Sequence, residues 1–227
     1  MDNDQQKFIS QSLTFWDKLS GEEKELILNH VSRATYRKGE HIHSGESDCV
    51  GILLIRKGEL RTYILSEDGR EITLYRLNEG NICILSASCI LKDVTFDIHI
   101  DAEQDSEVLV IQPDVFQRIS DENVHVENFT YRKALDHFSD VIWVMKQIIF
   151  MSFDRRLAIF LLDEAERCGS NTILLTHDQM ARYMGSAREV VSRMLKYFAN
   201  EGYVELTRGG VKILNSETLL QLTGKIK

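Results

Sequence analysis

No stretch of about 18 consecutive apolar residues occurs in this 227-residue chain, which excludes a helix crossing a bilayer. The amino terminus, MDNDQQK, is polar and acidic, so it does not read as a secretory signal, and the expected location is the cytoplasm with no membrane partner. Pro113 is the only proline, placed to end a strand running from Glu107 to Gln112. The four cysteines, at 49, 83, 89 and 168, are scattered, and no Cys/His set has the spacing of a metal site. His41 and His43, two apart on a predicted strand, share a face but lack companions, so no metal is expected. Asp97, His99 and Asp101 alternate on another predicted strand and are the one acid–base grouping available to an enzyme. No nucleophile elbow or phosphate loop accompanies them, and the simpler account is a solvated strand face. The chain is therefore read as a non-enzyme.

Positive charge is also in deficit, since the net charge is −8. The deficit is uneven: residues 152–227 carry 11 Lys and Arg against 9 Asp and Glu, whereas residues 1–151 carry 16 against 26. A nucleic-acid partner would have to be held by a local basic surface rather than by a general field, and such binding would be salt-sensitive.

What the chain does have is concentrated in LTHDQMARYMGSAREVVSRMLKYF, from Leu175 to Phe198. Two helix starts each offer a hydroxyl residue followed three positions later by Gln or Glu: Thr176 with Gln179, and Ser186 with Glu189. Both have the form of a capping box. Met180, Ala181 and Met184 share a face of the first helix, and Gly185 can take the positive φ that ends it. Val190, Val191, Met194, Leu195 and Phe198 give the second helix an apolar face. Its polar side carries Arg188, Glu189, Ser192 and Arg193. Arg pairs two-pronged with guanine O6 and N7, and Glu accepts from cytosine N4, so these four are the expected base readers. Thr176, His177 and Ser186 are placed for the DNA backbone. A solvated Arg–Glu surface pair is the plainer reading of any two of these residues alone. After them, Tyr203 to Thr207 and Val211 to Leu214 read as a hairpin around Gly209-Gly210, completing a winged helix-turn-helix.

The segment LTHDQMARYMGSAREVVSRMLKYFANEGYVELTRGGVKIL resembles the carboxy-terminal domain of the Crp/Fnr superfamily of bacterial transcription regulators. By that resemblance Arg188, Glu189 and Arg193 match the family's base-reading positions, and Ser192 one used in the Fnr branch. Arg155 and Arg156 open the domain's first helix in the family's Arg-Leu-Ala context. Further back, short strands punctuated by Lys38-Gly39, Gly45, Lys57-Gly58, Asp68-Gly69 and Glu79-Gly80 follow a helical start that breaks at Ser20-Gly21. VGILLIRKGELRTYILSEDGREITLYRLNEG is similar to the jelly-roll effector domain of cyclic-nucleotide-binding proteins. The expected fold is α+β: a β-roll over residues 1–121, a dimerisation helix over 122–151, and the winged helix-turn-helix over 152–227.

The helix carries Val124, Asn128, Tyr131, Leu135, Phe138, Ile142, Met145 and Ile149 in alternating steps of four and three, a coiled-coil seam in which Asn128 would fix register. A homodimer on a palindromic operator follows, with RNA polymerase as a further candidate partner. The resemblance also implies where a cyclic nucleotide would bind, and there this chain departs from the family. Ile84-Leu85 stands at the ribose-binding pair and Phe96-Asp97 at the phosphate-binding pair, so cyclic AMP is not expected. An apolar effector pocket involving Ile82, Cys83, Leu85 and Phe96 is expected instead. The clustered cysteines of the iron–sulfur branch are absent. ICILSAS is similar to the loop of the family's haem-based carbon monoxide sensor, which leaves three accounts of Cys83 open. These are a haem ligand, one half of a thiol switch with Cys89, and a small buried hydrophobe.

Overall fold

The computed structural model describes residues 3–44, 49–87 and 97–224, and Phe96 and Cys89 lie outside them. The chain divides into two compact units, one of Met1–Leu65 with Leu74–Val141, the other of Ser66–Thr73 with Ile142–Lys227.

The first unit opens with α1 (Asn3–Ser12) and α2 (Gly21–Asn29), separated by a short 3-10 turn. Ser20 caps α2 with a full capping box, its hydroxyl accepting from the Glu23 amide while the Glu23 carboxylate accepts from the Ser20 amide. Among the described residues eight strands follow: β1 (Val31–Tyr36), β2 (His41–Ser44), β3 (Ile52–Lys57), β4 (Glu59–Leu65), β5 (Glu71–Asn78), β6 (Ile82–Cys83), β7 (His99–Ala102) and β8 (Ser106–Ile111). They form two four-stranded sheets, ordered β1-β8-β3-β6 and β2-β7-β4-β5.

The unbroken apolar runs of β3 and β8 are explained by burial on both faces. Ile52 and Leu54 of β3, with Leu109 and Ile111 of β8, join Ile9, Leu13, Phe15 and Phe116 in one core. Leu53 and Ile55, with Val108 and Val110, join Leu60, Leu77 and Ile100 in a second core between the sheets. Gly58, at the turn between β3 and β4, has φ +92 and lies so close to the Asp105 carbonyl that a Cβ there would sit 2.7 Å from it.

One expectation fails here. His41 and His43 do not share a face: a bulge between them sets His41 opposite Asp101 and His43 opposite Ile100, so the extra residue turns one outward and the other into the core. Pro113 does more than end β8, since it opens α3 (Pro113–Glu122), where its fixed φ and missing N–H suit the first helical position. Asn123 then separates α3 from α4 (Val124–Phe150).

The second unit contains α5 (Phe153–Cys168), β9 (Thr172–Ile173), α6 (His177–Met184), α7 (Arg188–Asn200), β10 (Val204–Thr207), β11 (Gly210–Ile213) and α8 (Ser216–Leu222). Leu157 and Leu161 of α5, Met180 and Met184 of α6, and Val191, Leu195 and Phe198 of α7 pack with Val211 and Ile213 in its core. The wing is a three-stranded sheet ordered β10-β11-β9, its third strand supplied by the segment just before α6.

Candidate nucleic-acid interface

Helix α6 starts as its sequence dictates. The Thr176 hydroxyl accepts from the Gln179 amide at 3.2 Å, and the Gln179 side chain accepts from the Thr176 amide at 2.8 Å. Gly185 ends the helix at φ 60, ψ 44, and the Ser186 amide reaches back to the Ala181 carbonyl at 2.9 Å, as in a Schellman turn.

That bond overturns the second expected capping box. Helix α7 begins two residues after Ser186, its N-cap is Ala187, and no side chain caps it. The Ser186 amide is spent on the end of α6, so it is not available to the Glu189 carboxylate as a capping box requires. Glu189 is thereby released from capping.

Arg188, Glu189, Ser192 and Arg193 lie together on one side of α7, with Lys196, Tyr197 and Asn200 continuing the same surface, and the seven line an open concavity of about 520 Å3. The last three were missed in the sequence, although Lys196 and Asn200 follow Ser192 at helical spacing. Arg188, Glu189, Arg193 and Lys196 are exposed and Ser192 is half-buried. Arg188 Nε stands 3.7 Å from the Asp178 carboxylate, an exposed pair that costs little to break. His177, the first residue of α6, brings Nδ1 within 2.8 Å of the Ser192 hydroxyl. Behind this surface Arg156 donates to the Met184 carbonyl and Arg155 to the Thr223 carbonyl at 2.8 Å, so both arginines tie α5 to its own domain. Burial lowers the pKa of Arg156.

On α4 all eight seam positions are exposed, with Leu135 at 63% and Phe138 at 60%, whereas Val126, Phe129, Thr130 and His137 are buried on other faces. The described pocket residues separate. Ile82 packs in the helix-side core, and Cys83 and Leu85 in the core between the sheets. Cys83 is fully buried and free, and burial pushes its thiol pKa up. Cys168 is free and exposed, and Cys49 is disulfide-bonded. Near Cys83, Tyr75 stacks on His137 with ring centroids 4.3 Å apart, and burial drives the His137 pKa from 6.5 to about 4. Both His137 ring nitrogens are buried with no hydrogen-bond partner among the described residues, and Nδ1 stands 3.9 Å from the Asp140 carboxylate.

Asp101 is engaged by His41 at 2.6 Å and by buried Arg61 at 3.3 Å, while His99 stacks on Tyr63. Asp97 is exposed. Among the described residues no three His, Cys, Asp or Glu side chains gather as a metal-holding group, and no helix is long and apolar enough to cross a membrane.

A jelly-roll fold joined to a winged helix-turn-helix with a polar, Arg-bearing second helix defines the class: a two-domain, DNA-binding transcription regulator. Comparison with known proteins makes the class specific. Residues 155–222 match the Crp-like helix-turn-helix domain and residues 33–123 the cyclic nucleotide-binding domain. A crystal structure from Eubacterium rectale, assigned to transcriptional regulators of the Crp/Fnr family, superposes with a TM-score of 0.91 at 42% identity, covering 94% of this chain and 99% of that one. The transcriptional regulatory protein btr of Bordetella pertussis is 24% identical over 85% of this chain and 81% of its own length. The probable transcriptional regulator flp of Lacticaseibacillus casei is 27% identical over 74% of this chain and 77% of its own length. The chain belongs to the Crp/Fnr family of transcription regulators.

Proposed function

We propose that the protein works as a homodimer on a palindromic double-stranded operator, and that an effector event in the β-roll controls its affinity for that operator. The observation that carries the DNA reading is the surface of α7, where Arg188, Glu189, Ser192 and Arg193 face solvent together above a packed apolar side. In this reading those four meet base edges, and Thr176, His177 and Ser186 meet the backbone. The exposed apolar stripe of α4 supports the homodimer, because eight aligned seam positions, seven of them apolar, are costly to leave in water. Two recognition helices about one DNA turn apart would then select an inverted repeat. The functional division is residues 1–121 for sensing, 122–151 for dimerisation and 152–227 for DNA, with a hinge near Ser152 to Asp154, between the end of α4 and the first turn of α5. The switch is a population shift between dimer arrangements, and RNA polymerase is the partner through which DNA binding would act on transcription.

For the effector, Ile84 and Leu85 bring buried hydrocarbon to the position where a ribose would need polar partners, which favours a ligand other than a cyclic nucleotide. A neutral, buried Cys83 thiol is the opposite of the accessible thiolate that haem ligation or thiol exchange needs, which favours the plain core role for that residue.

Selection from a random double-stranded library, followed by anisotropy titrations across a salt series, tests the DNA reading. An inverted repeat bound with a steep salt slope is expected. Arg188→Ala and Arg193→Ala should each lose about 1–3 kcal/mol on that site and relax preference at one position per half-site. Equal binding to all sequences, or variants that keep the wild-type base preference, would overturn it.

A further inference from the structure

The hydrogen bond between His177 and Ser192 joins a residue at the start of α6 to one on the reading face of α7, 15 positions apart, at 2.8 Å. Its direction has chemical content. A serine hydroxyl owns one proton and a neutral imidazole owns one N–H. If His177 Nδ1 accepts, the Ser192 proton is committed to the imidazole and the oxygen faces the groove with lone pairs alone. If Nδ1 donates, the hydroxyl proton is free for a base acceptor. The two states present opposite edges to DNA: the first suits the amino groups of adenine N6 or cytosine N4, the second suits guanine O6 and N7 or thymine O4.

The other ring nitrogen decides between them. A phosphate oxygen only accepts, so an imidazole that touches the DNA backbone through Nε2 must carry its proton there. A neutral ring then has none at Nδ1, which must accept from Ser192.

Resting on the DNA-reading assignment above, we propose that His177 is a specificity-determining residue. By accepting a hydrogen bond from the Ser192 hydroxyl while donating Nε2–H to a phosphate, it fixes Ser192 as a hydrogen-bond acceptor toward DNA and selects adenine or cytosine at the base that Ser192 meets. His177 reads no base itself and acts through Ser192 as a positioning residue. No proton changes ownership between molecules; a rotor and a tautomer are fixed.

The test uses the full-length protein and the operator recovered by selection, with every half-site base pair varied in turn and binding measured at about pH 8, above the ordinary imidazole range. Ser192→Ala should flatten preference at one position by about fivefold or more. His177→Phe should change the pattern at that same position, admitting guanine or thymine, on top of a uniform loss from the missing phosphate contact. His177→Asn, whose Oδ1 can accept where Nδ1 did, should restore the adenine or cytosine preference even though overall affinity stays reduced. In the wild-type complex the ring-nitrogen NMR spectrum should show Nδ1 bare and Nε2 protonated, a signature that a merely structural contact would not require.

If His177→Phe weakens all sequences equally and leaves the pattern intact, His177 is a backbone contact only and the inference is overturned. A protonated Nδ1 in the complex overturns it independently of how well the Phe variant folds. If Ser192→Ala flattens no position, the failure lies in the assignment of Ser192 as a reader, which separates the two proposals.

Discussion

Replacing His137 by Phe should remove a block of acid sensitivity from the folded protein. The His137 side chain is 8% exposed and its ring is stacked on Tyr75, and burial holds its pKa at about 4 against an ordinary 6.5, with Lys133 pushing further down and Asp136 pulling up. Because the folded value is the lower one, the unfolded chain takes up a proton first as pH falls. Between 6.5 and about 4 the unfolded state therefore binds more protons, and unfolding becomes easier with acid. At about 1.4 kcal/mol for each tenfold change in proton affinity, the full effect is about 3 kcal/mol. It is absent above 6.5 and complete below about 4. Phe keeps the ring and the stack but cannot titrate. Urea unfolding of both proteins, at one protein concentration and at several pH values from about 8 down to about 4, gives the stability difference directly. The wild type should lose about 3 kcal/mol relative to the variant across that range, nearly all of it on the acid side of neutrality. A difference that stays constant to within about 0.5 kcal/mol would refute the claim that His137 is buried as the neutral base.

Phe138→Glu puts a charge in the middle of the α4 stripe and should convert a dimer to monomer in sedimentation at micromolar concentration; a variant that still sediments as a dimer would mean that another surface pairs the subunits. Thr176→Ala should lower stability by about 1 kcal/mol in thermal or urea unfolding, whereas Ser186→Ala should cost only a few tenths, since only Thr176 caps a helix. Equal losses would restore the Ser186 cap. Thiol titration without reductant should find Cys168 reactive in the folded protein and Cys83 reactive only after unfolding. Four thiols before reduction would contradict the disulfide at Cys49.

Local signals carried much of the architecture. Thr176, Gln179 and Gly185 act on their own helix, so their spacing alone marked α6 and its end. Ser186 misled because two helices compete for one residue and the Schellman bond to Ala181 wins. Pro113 was legible as a boundary but not as the start of α3, since a proline both ends a strand and opens a helix. The bulge between His41 and His43 left no mark in residue type, and it decides which of the two is buried. The polar surface of α7 was visible as a cluster of residues at helical spacing. The bond from His177 to Ser192 was not, because it depends on how α6 and α7 cross. His137 was hidden for a related reason: the seam pattern draws the eye to one face of α4 while its burial lies on another.

The stripe on α4 also has an order in time. A chain is made from its amino terminus, so Tyr131, Leu135, Phe138 and Ile142 leave the ribosome after the strands of the β-roll and ahead of α5 to α8. An apolar strip of that length is exposed from the moment it folds. If two chains pair along it, as proposed above, the pairing surface is available before the DNA-binding domain has folded, and assembly can begin during translation.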